Sequence, residues 1–200
     1  MQPLSERTFH SDPIHQFRRW FRAAKLAGLH EPNAMMLATV SPAGQPSARM
    51  VLLKGVDPAG FVFFTNYDSR KGREMAANRR VALVFYWPSL HRQVRVTGRV
   101  AKVTAAESDA YFASRAAGSR VAAAASPQSR VIASRAALEA RVHAVEEKYP
   151  DSTAPRPIHW GGYRVHPDEI EFWQQGEYRL HDRLRYRKIR AAWMLERLAP

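Results

Sequence analysis

The sequence predicts an α+β fold, mainly antiparallel β, with strands curled into a closed barrel and a few helices packed outside. Short apolar runs separated by Gly, Pro, Asn and Asp turn signals recur along most of the chain, as antiparallel strands require. Helix start signals occur at only a few places between these runs. Nothing within the 200 residues is long enough to be an independent second domain. Several antiparallel strands with few helices favour a barrel over separated layers.

The elements follow in order. Residues 1–11 carry no strong pattern and are expected to be poorly ordered. "SDPIHQFRRWFRAAKLAG" reads as a helix with Asp12 as N-cap, Pro13 in the first turn and Gly28 as the stop. Its apolar stripe is Ile14, Phe17, Phe21 and Ala24, at helical spacing. "AMMLATVS" and "SARMVLLKGV" read as strands flanking a turn at Pro42–Gly44, and "DPAG" turns the chain into "FVFFTN". "SRKGREMAANRR" is a short helix or turn before the strands "VALVFYW" and "RQVRVTGRVAKV". Thr104 and Glu107 form a capping box opening "TAAESDAYFASR". An Ala/Ser-rich loop, "AAGSRVAAAASPQS", precedes the helix "SRAALEARVHAVEEKY". "DSTAPRPIHW" is a Pro-rich linker. Strands "WGGYRVHP", "EIEFWQQ", "YRLHDRLRYRK" and "AAWMLERL" complete the chain.

Composition narrows the chemistry. Net charge is +13, which points to an anionic partner: nucleic acid, an anionic membrane surface or phosphorylated small molecules. The absence of Cys removes disulfides, thiolate nucleophiles and Cys-held metals. No apolar run approaches the roughly 18 residues of a membrane span, and the N-terminus lacks a signal-peptide core. A cytoplasmic location is expected. There is no G-x-S-x-G elbow, P-loop or G-x-G-x-x-G, and the eight His show no metal-ligand spacing. No RNA-recognition aromatic motif or basic tail supports a specific nucleic-acid partner.

Cations at strand ends are more informative. Arg49 and Lys54 bracket the apolar strand "RMVLLK". Thr65, Ser69, Arg70 and Lys71 follow the next one. Such a set is either a solvated helix start or a phosphate cradle, because Arg meets phosphate in a bidentate fork. A regular strand points Arg49 and Lys54 to opposite faces, so they share a ligand only through a bulge, or else serve different ligand groups or subunits. Gln93, Arg95 and Thr97 share a strand face. Tyr111, Arg115 and Ser119 step along one helix face at i, i+4, i+8. "EYRLHDRLRYRK" places Arg179, His181, Arg183, Arg185 and Arg187 on one face, with Leu180, Asp182, Leu184 and Tyr186 on the other. Like charges in such a row repel and need an offset.

Taken together, "EPNAMMLATV", "GQPSARMVLLK", "FFTNYDSRKGREM", "RQVRVTG", "SPQSRVI", "HWGGYRV", "IEFWQ" and "RLHDRLRY" resemble the pyridoxine/pyridoxamine 5'-phosphate oxidase family, over about Asp12 to Pro200. The resemblance implies a single split β-barrel domain over 12–200 and a homodimer with FMN in clefts at the subunit interface. It implies FMN contacts from Arg49, Met50, Val51, Leu52, Leu53 and Lys54, from Phe64, Thr65, Arg70 and Lys71, and from Gln93, Gln128, Ser129, Trp173 and Arg183. It implies substrate contacts from Lys54, Tyr111, Arg115, Ser119, Arg179, Leu180 and His181, with Arg179 and His181 as the catalytic pair, Arg179 packing near the reacting carbon and His181 hydrogen-bonding the substrate. Arg185 and Arg187 lie outside the motif and read as solvated charge. The implied reaction oxidises pyridoxamine or pyridoxine 5'-phosphate to pyridoxal 5'-phosphate with O2, giving hydrogen peroxide, in vitamin B6 salvage.

Three departures stand out. Gln175 occupies a place where the family usually has Gly, so a turn that needs positive φ there would be altered. Ala124 stands at an aromatic position, and the N-terminus lacks the usual Arg/Tyr segment over the substrate. Two rival readings remain within the same fold: a flavin oxidase of the phenazine-biosynthesis type, and a non-catalytic flavin or pyridoxal phosphate carrier.

Overall fold

The computed structural model describes residues 2–150 and 154–200. The first helix, α1 (Pro13–Leu26), starts where expected, with the Asp12 side chain accepting from the Ile14 N–H. Ile14, Phe17 and Ala24 are buried, and Phe21 packs at the edge of the same core. The chain leaves α1 through Gly28, whose positive φ suits glycine.

The strands are β1 (Ala34–Val40), β2 (Pro46–Leu52), β3 (Gly55–Asp57), β4 (Gly60–Asn66), β5 (Arg80–Trp87), β6 (Arg92–Lys102), β7 (Trp160–Gln174), β8 (Asp182–Ile189) and β9 (Ala192–Arg197). All pair antiparallel in one sheet, in the order β2-β1-β5-β6-β7-β4-β3, with β8 and β9 added beside β7. The sheet curls into a half-barrel. No ladder joins its β2 and β3 edges among the described residues, so the expected full closure is not made. Alternation sets the core: Val94, Val96, Ile170, Phe172, Leu184 and Tyr186 face inward and are buried. The helices α2 (Arg70–Ala77), α3 (Ala105–Ala113), α4 (Ala117–Ala125) and α5 (Arg135–Lys148) lie outside the strands.

Several expectations change. "WGGYRVHP" and "EIEFWQQ" form one long strand, β7, because an extra residue, Asp168, bulges from β7 opposite Thr97–Gly98 of β6 and lets the ladder continue past Pro167. "SARMVLLKGV" is two strands, broken at Leu53–Lys54, and the break removes the strict opposition of Arg49 and Lys54. The Ala-rich segment expected as a loop is largely α4, consistent with the high helix propensity of Ala. Tyr111, Arg115 and Ser119 therefore span two helices rather than one.

Residues 2–11 pack against the body of the fold. Phe9 packs on Trp20, Phe172 and Tyr186, and the Tyr186 hydroxyl donates to the His10 carbonyl at 2.6 Å. Arg197 clamps the segment through both Glu6 carboxylate oxygens, at 2.8 and 3.0 Å, and through the Leu4 carbonyl at 2.7 Å. This strap depends on tertiary contacts that no local pattern announces. Met1 and residues 151–153, part of the expected Pro-rich linker, lie outside the described residues.

Candidate active site

The end of β2, the end of β4, the start of α2 and the α3–α4 connection converge on one cleft of about 540 Å³. Met50, Val51, Leu52 and Lys54 form one wall; Phe64, Thr65 and Lys71 form another. Tyr111, Arg115 and Ser119 close the cleft, and Gln128 reaches in from the loop after α4. The break between α3 and α4 therefore does not separate the Tyr/Arg/Ser set.

Aromatic packing shapes the floor. Tyr111 stacks on Phe64 with centroids 3.9 Å apart, and Trp160 lies parallel to Phe64 at 5.7 Å. Gly162 keeps Phe64 in place, since a Cβ there would lie 2.8 Å from its ring and 2.6 Å from Val103. Trp160, Asn66 and Ala116 also line the cleft and were not singled out from the sequence. "HWGGYRV" carried the signal for Trp160: an aromatic next to two glycines marks tight packing.

The cations here lack carboxylate partners. Among the described residues, no Asp or Glu lines the cleft. Arg115 sits over the Trp160 ring at 4.7 Å, and its Nη1 is buried without a hydrogen-bond partner. Burial pulls the Arg115 guanidinium below its ordinary pKa. Lys71 donates to the Gln128 side-chain oxygen at 2.8 Å and to the Ser69 hydroxyl at 3.3 Å. Burial first, then the nearby Arg49 charge, lowers the Lys71 pKa to about 8. Lys54 lies 5.9 Å from the Tyr111 ring centre. Ser129, beside Gln128, is exposed with φ 68° and does not line the cleft.

Other expected residues lie elsewhere. Arg49 lies behind the wall, donating to Glu74 at 3.1 Å, to the Leu37 carbonyl at 3.2 Å, and to Thr39 and Ser47. Arg70 also donates to Glu74, at 2.9 Å. Glu74 is 5% exposed. Desolvation would raise its pKa, but bonds from Thr39, Ser47, Arg70 and Arg49 outweigh this and bring it to about 2. Leu53 is buried in the core. Arg49, Leu53 and Arg70 therefore do not line this cleft in the chain by itself.

A second group forms on the outer face of the sheet. Register places Gln93 opposite Trp173, and Trp173 opposite Arg183. Arg183 makes a bidentate pair with Glu171 at 2.9 and 3.1 Å, which raises its pKa further. Arg185 pairs with Glu169 and Glu196, and Arg187 with Glu196. Arg185 is thus bound charge rather than solvated charge, whereas Arg187 is paired but stays exposed. The expected strand over 177–188 starts only at Asp182. Glu177–Arg179 form a tight turn with Tyr178 and Arg179 at φ 51° and 66°, so Arg179 and His181 leave the strand row. His181 packs against Trp173 at 4.8 Å, and its Nδ1 accepts from the Gly176 N–H at 3.2 Å. Leu180 is 71% exposed instead of facing the core. None of Gln93, Trp173, Arg179, Leu180, His181 or Arg183 lines the cleft of the same chain.

Gln175 has no positive φ, so this position does not require glycine; it pairs instead with His91. Gly176 is the demanding position, since a Cβ there would lie 2.0 Å from the Leu180 carbonyl oxygen. Ala124 is part-buried in α4.

Residues 21–149 match the family described as pyridoxamine 5'-phosphate oxidase, and residues 160–200 match the pyridoxine 5'-phosphate oxidase C-terminal dimerisation region. The chain belongs to the pyridoxamine 5'-phosphate oxidase family. The chain is 60% identical to a pyridoxine/pyridoxamine 5'-phosphate oxidase of Burkholderia multivorans, over 98% of this chain and 93% of the relative. It is 55% identical to that of Trichormus variabilis, over 100% and 94%. Among solved structures, PhzG of Burkholderia lata in complex with tetrahydrophenazine-1-carboxylic acid superposes with TM-score 0.93 at 31% identity, covering 100% and 99% of the two chains. A family-related FMN-binding protein of Nostoc punctiforme, at 18% identity and TM-score 0.74 over 92% and 97%, shares the split-barrel fold. No helix among the described residues is long and apolar enough to cross a membrane.

Proposed function

We propose that this chain is an FMN-dependent oxidase that converts pyridoxamine and pyridoxine 5'-phosphate to pyridoxal 5'-phosphate, with O2 as acceptor and hydrogen peroxide as by-product. The observation that carries the reading is Arg115. A buried guanidinium N–H without a partner, in a cleft with Lys54, Lys71 and Ser119 and no carboxylate, is a donor set in want of an anion. A dianionic phosphate satisfies several cations at once, and the Tyr111–Phe64–Trp160 stack gives the flat wall that an aromatic ligand needs.

The fit to FMN rests on the same page of chemistry. Lys71, Gln128 and Thr65 offer donors at the start of α2, and the β2 backbone at Met50–Leu52 forms an edge for a polar ring. FMN, when bound, would accept the hydride and hand its electrons to O2. The chain's own residues would bind phosphate, orient the ring and exclude water. Arg179 and His181 are absent from the cleft of their own chain. A homodimer through the 160–200 region would let the partner subunit supply them and complete two equivalent sites. A second reading, oxidation of a reduced phenazine acid, draws on the PhzG superposition. Three cations against one carboxylate argue less well for it, as does the higher identity to the phosphate oxidases.

The test is purified protein with FMN, mixed under air with pyridoxine 5'-phosphate or with a tetrahydrophenazine carboxylic acid. The expected result is turnover of the phosphate ester with one hydrogen peroxide per aldehyde formed. Turnover of the phenazine acid alone, or no FMN uptake, would overturn the proposal.

A further inference from the structure

One side chain of the Pro-rich linker before β7 reaches the framework of the cleft without lining it. Arg156 Nε donates to the Asp109 carboxylate of α3 at 2.6 Å, and its Nη1 donates to the Trp160 carbonyl at 2.7 Å. The Arg156 side chain is 17% exposed and that of Asp109 59%, so the guanidinium lies along the protein rather than out in water. Pro155 and Pro157 restrict the backbone on both sides of Arg156, which pre-orders the point from which this side chain leaves.

Trp160 is the ring on which the cleft leans. Phe64 and Tyr111 lie parallel to it at 5.7 and 6.2 Å, and Phe112 meets it edge-on at 5.1 Å. The Arg115 guanidinium sits 4.7 Å from its centre. A guanidinium held over an aromatic face takes its orientation from that face, so the pose of Trp160 sets the direction of the unpartnered Arg115 Nη1. Trp160 is the first residue of β7, where the ladder to β4 begins. Its N–H donates back to the Pro157 carbonyl at 2.9 Å, and its own carbonyl accepts from Arg156.

The helix α3 is fastened independently of Arg156. Its capping box is intact, Glu107 pairs with Arg164 at 3.0 Å, and the buried Ser108 hydroxyl accepts from the Gly162 N–H at 3.2 Å. Loss of Arg156 therefore leaves α3 in place and loosens chiefly the start of β7. An ion pair with one partner this exposed contributes little to overall stability, so its effect falls on geometry.

We propose that Arg156 is a positioning residue: by bridging Asp109 to the Trp160 carbonyl, it fixes the ring that aims Arg115 and Tyr111 into the cleft. The bridge stands on the geometry alone; its effect on turnover rests on the function proposed above, in which Arg115 holds the substrate's anion. The effect should therefore fall on substrate binding rather than on the oxidation step.

Steady-state kinetics with pyridoxine 5'-phosphate on the FMN-loaded protein, read beside near-ultraviolet circular dichroism of the aromatic stack, test this. Arg156→Ala should raise KM about 10-fold with kcat within about twofold, weaken the near-ultraviolet signal, and leave Tm within about 3 °C. Arg156→Lys keeps the charge but not the fork; it should fall between wild type and Arg156→Ala, and it carries the test should the alanine variant not fold. In an Arg115→Ala background, Arg156→Ala should add less than about twofold, because the two residues act in series. An unchanged KM or an unchanged near-ultraviolet signal in Arg156→Ala would overturn the inference. So would a full loss of about 10-fold still added in the Arg115→Ala background. No turnover by wild type would instead defeat the function proposed above, and the near-ultraviolet signal of Arg156→Ala would then decide the bridge.

Discussion

On β8, Arg183, Arg185 and Arg187 each meet a carboxylate from β7 or β9, whereas around the cleft Lys54, Lys71 and Arg115 meet none. From sequence the two groups look alike, as basic residues on or near strands. The first group is closed chemistry: every charge is offset across the ladder, and the pairs hold the last strands to the sheet. The second is open chemistry, with a partly desolvated ammonium and a buried orphan N–H. The difference teaches that charge density does not locate a ligand; the absence of a counter-charge does.

Removing the counter-charge on the closed side should have the largest effect. Glu171 is 3% exposed and serves both Arg95 and Arg183. Glu171→Ala should cost about 2 kcal/mol, or roughly 4–8 °C in Tm, with water screening part of the loss at the half-exposed arginines. Thermal unfolding followed by circular dichroism checks this; an unchanged Tm would mean that the pairs are ornamental.

On the open side, pH should separate the groups. Free Lys71 loses its proton near pH 8, and a bound phosphate would hold that proton more tightly. Anion affinity should therefore be full below pH 8 and fall as pH rises through and above it. Lys71→Arg, charged throughout, should flatten the profile. Titration of the protein with FMN from pH 6.5 to 9.5 measures it, and a flat wild-type profile would remove Lys71 from the phosphate site.

The smallest effect concerns Leu180. A strand through 177–188 would bury it, but it is 71% exposed on the turn. Leu180→Ala should change stability by less than about 0.5 kcal/mol. A loss of several degrees in Tm by scanning calorimetry would show that the loop docks on something its own chain does not display.

Much of the fold was legible because local chemistry decided it. Asp12–Pro13 and Gly28 mark the ends of α1, Thr104 and Glu107 cap α3, and the period of two across β5 and β6 predicts their buried faces. Of the candidate site, Lys54 stood out as a cation at a strand end and Tyr111, Arg115 and Ser119 by their i, i+4, i+8 spacing, and the structure brings all four to one cleft. The rest needed tertiary information. Glu74 and Glu171 neutralise arginines through contacts beyond the reach of single-strand periodicity. The end of β8 depends on Tyr178 and Arg179 adopting positive φ without a glycine to announce it. The strap over residues 2–11 depends on Arg197 and Tyr186, nearly the whole chain away.

A paired comparison of Arg115→Ala with Arg185→Ala tests the central claim most directly, with Tm and kcat/KM for pyridoxine 5'-phosphate measured on both. The account predicts that Arg115→Ala loses about 10- to 100-fold in kcat/KM, or roughly 1.5–3 kcal/mol, with little change in Tm. Arg185→Ala should lower Tm and leave kcat/KM within about twofold, since its partners are Glu169 and Glu196 rather than a ligand. The reverse pattern, Arg115→Ala unstable but active and Arg185→Ala stable but inactive, would contradict it.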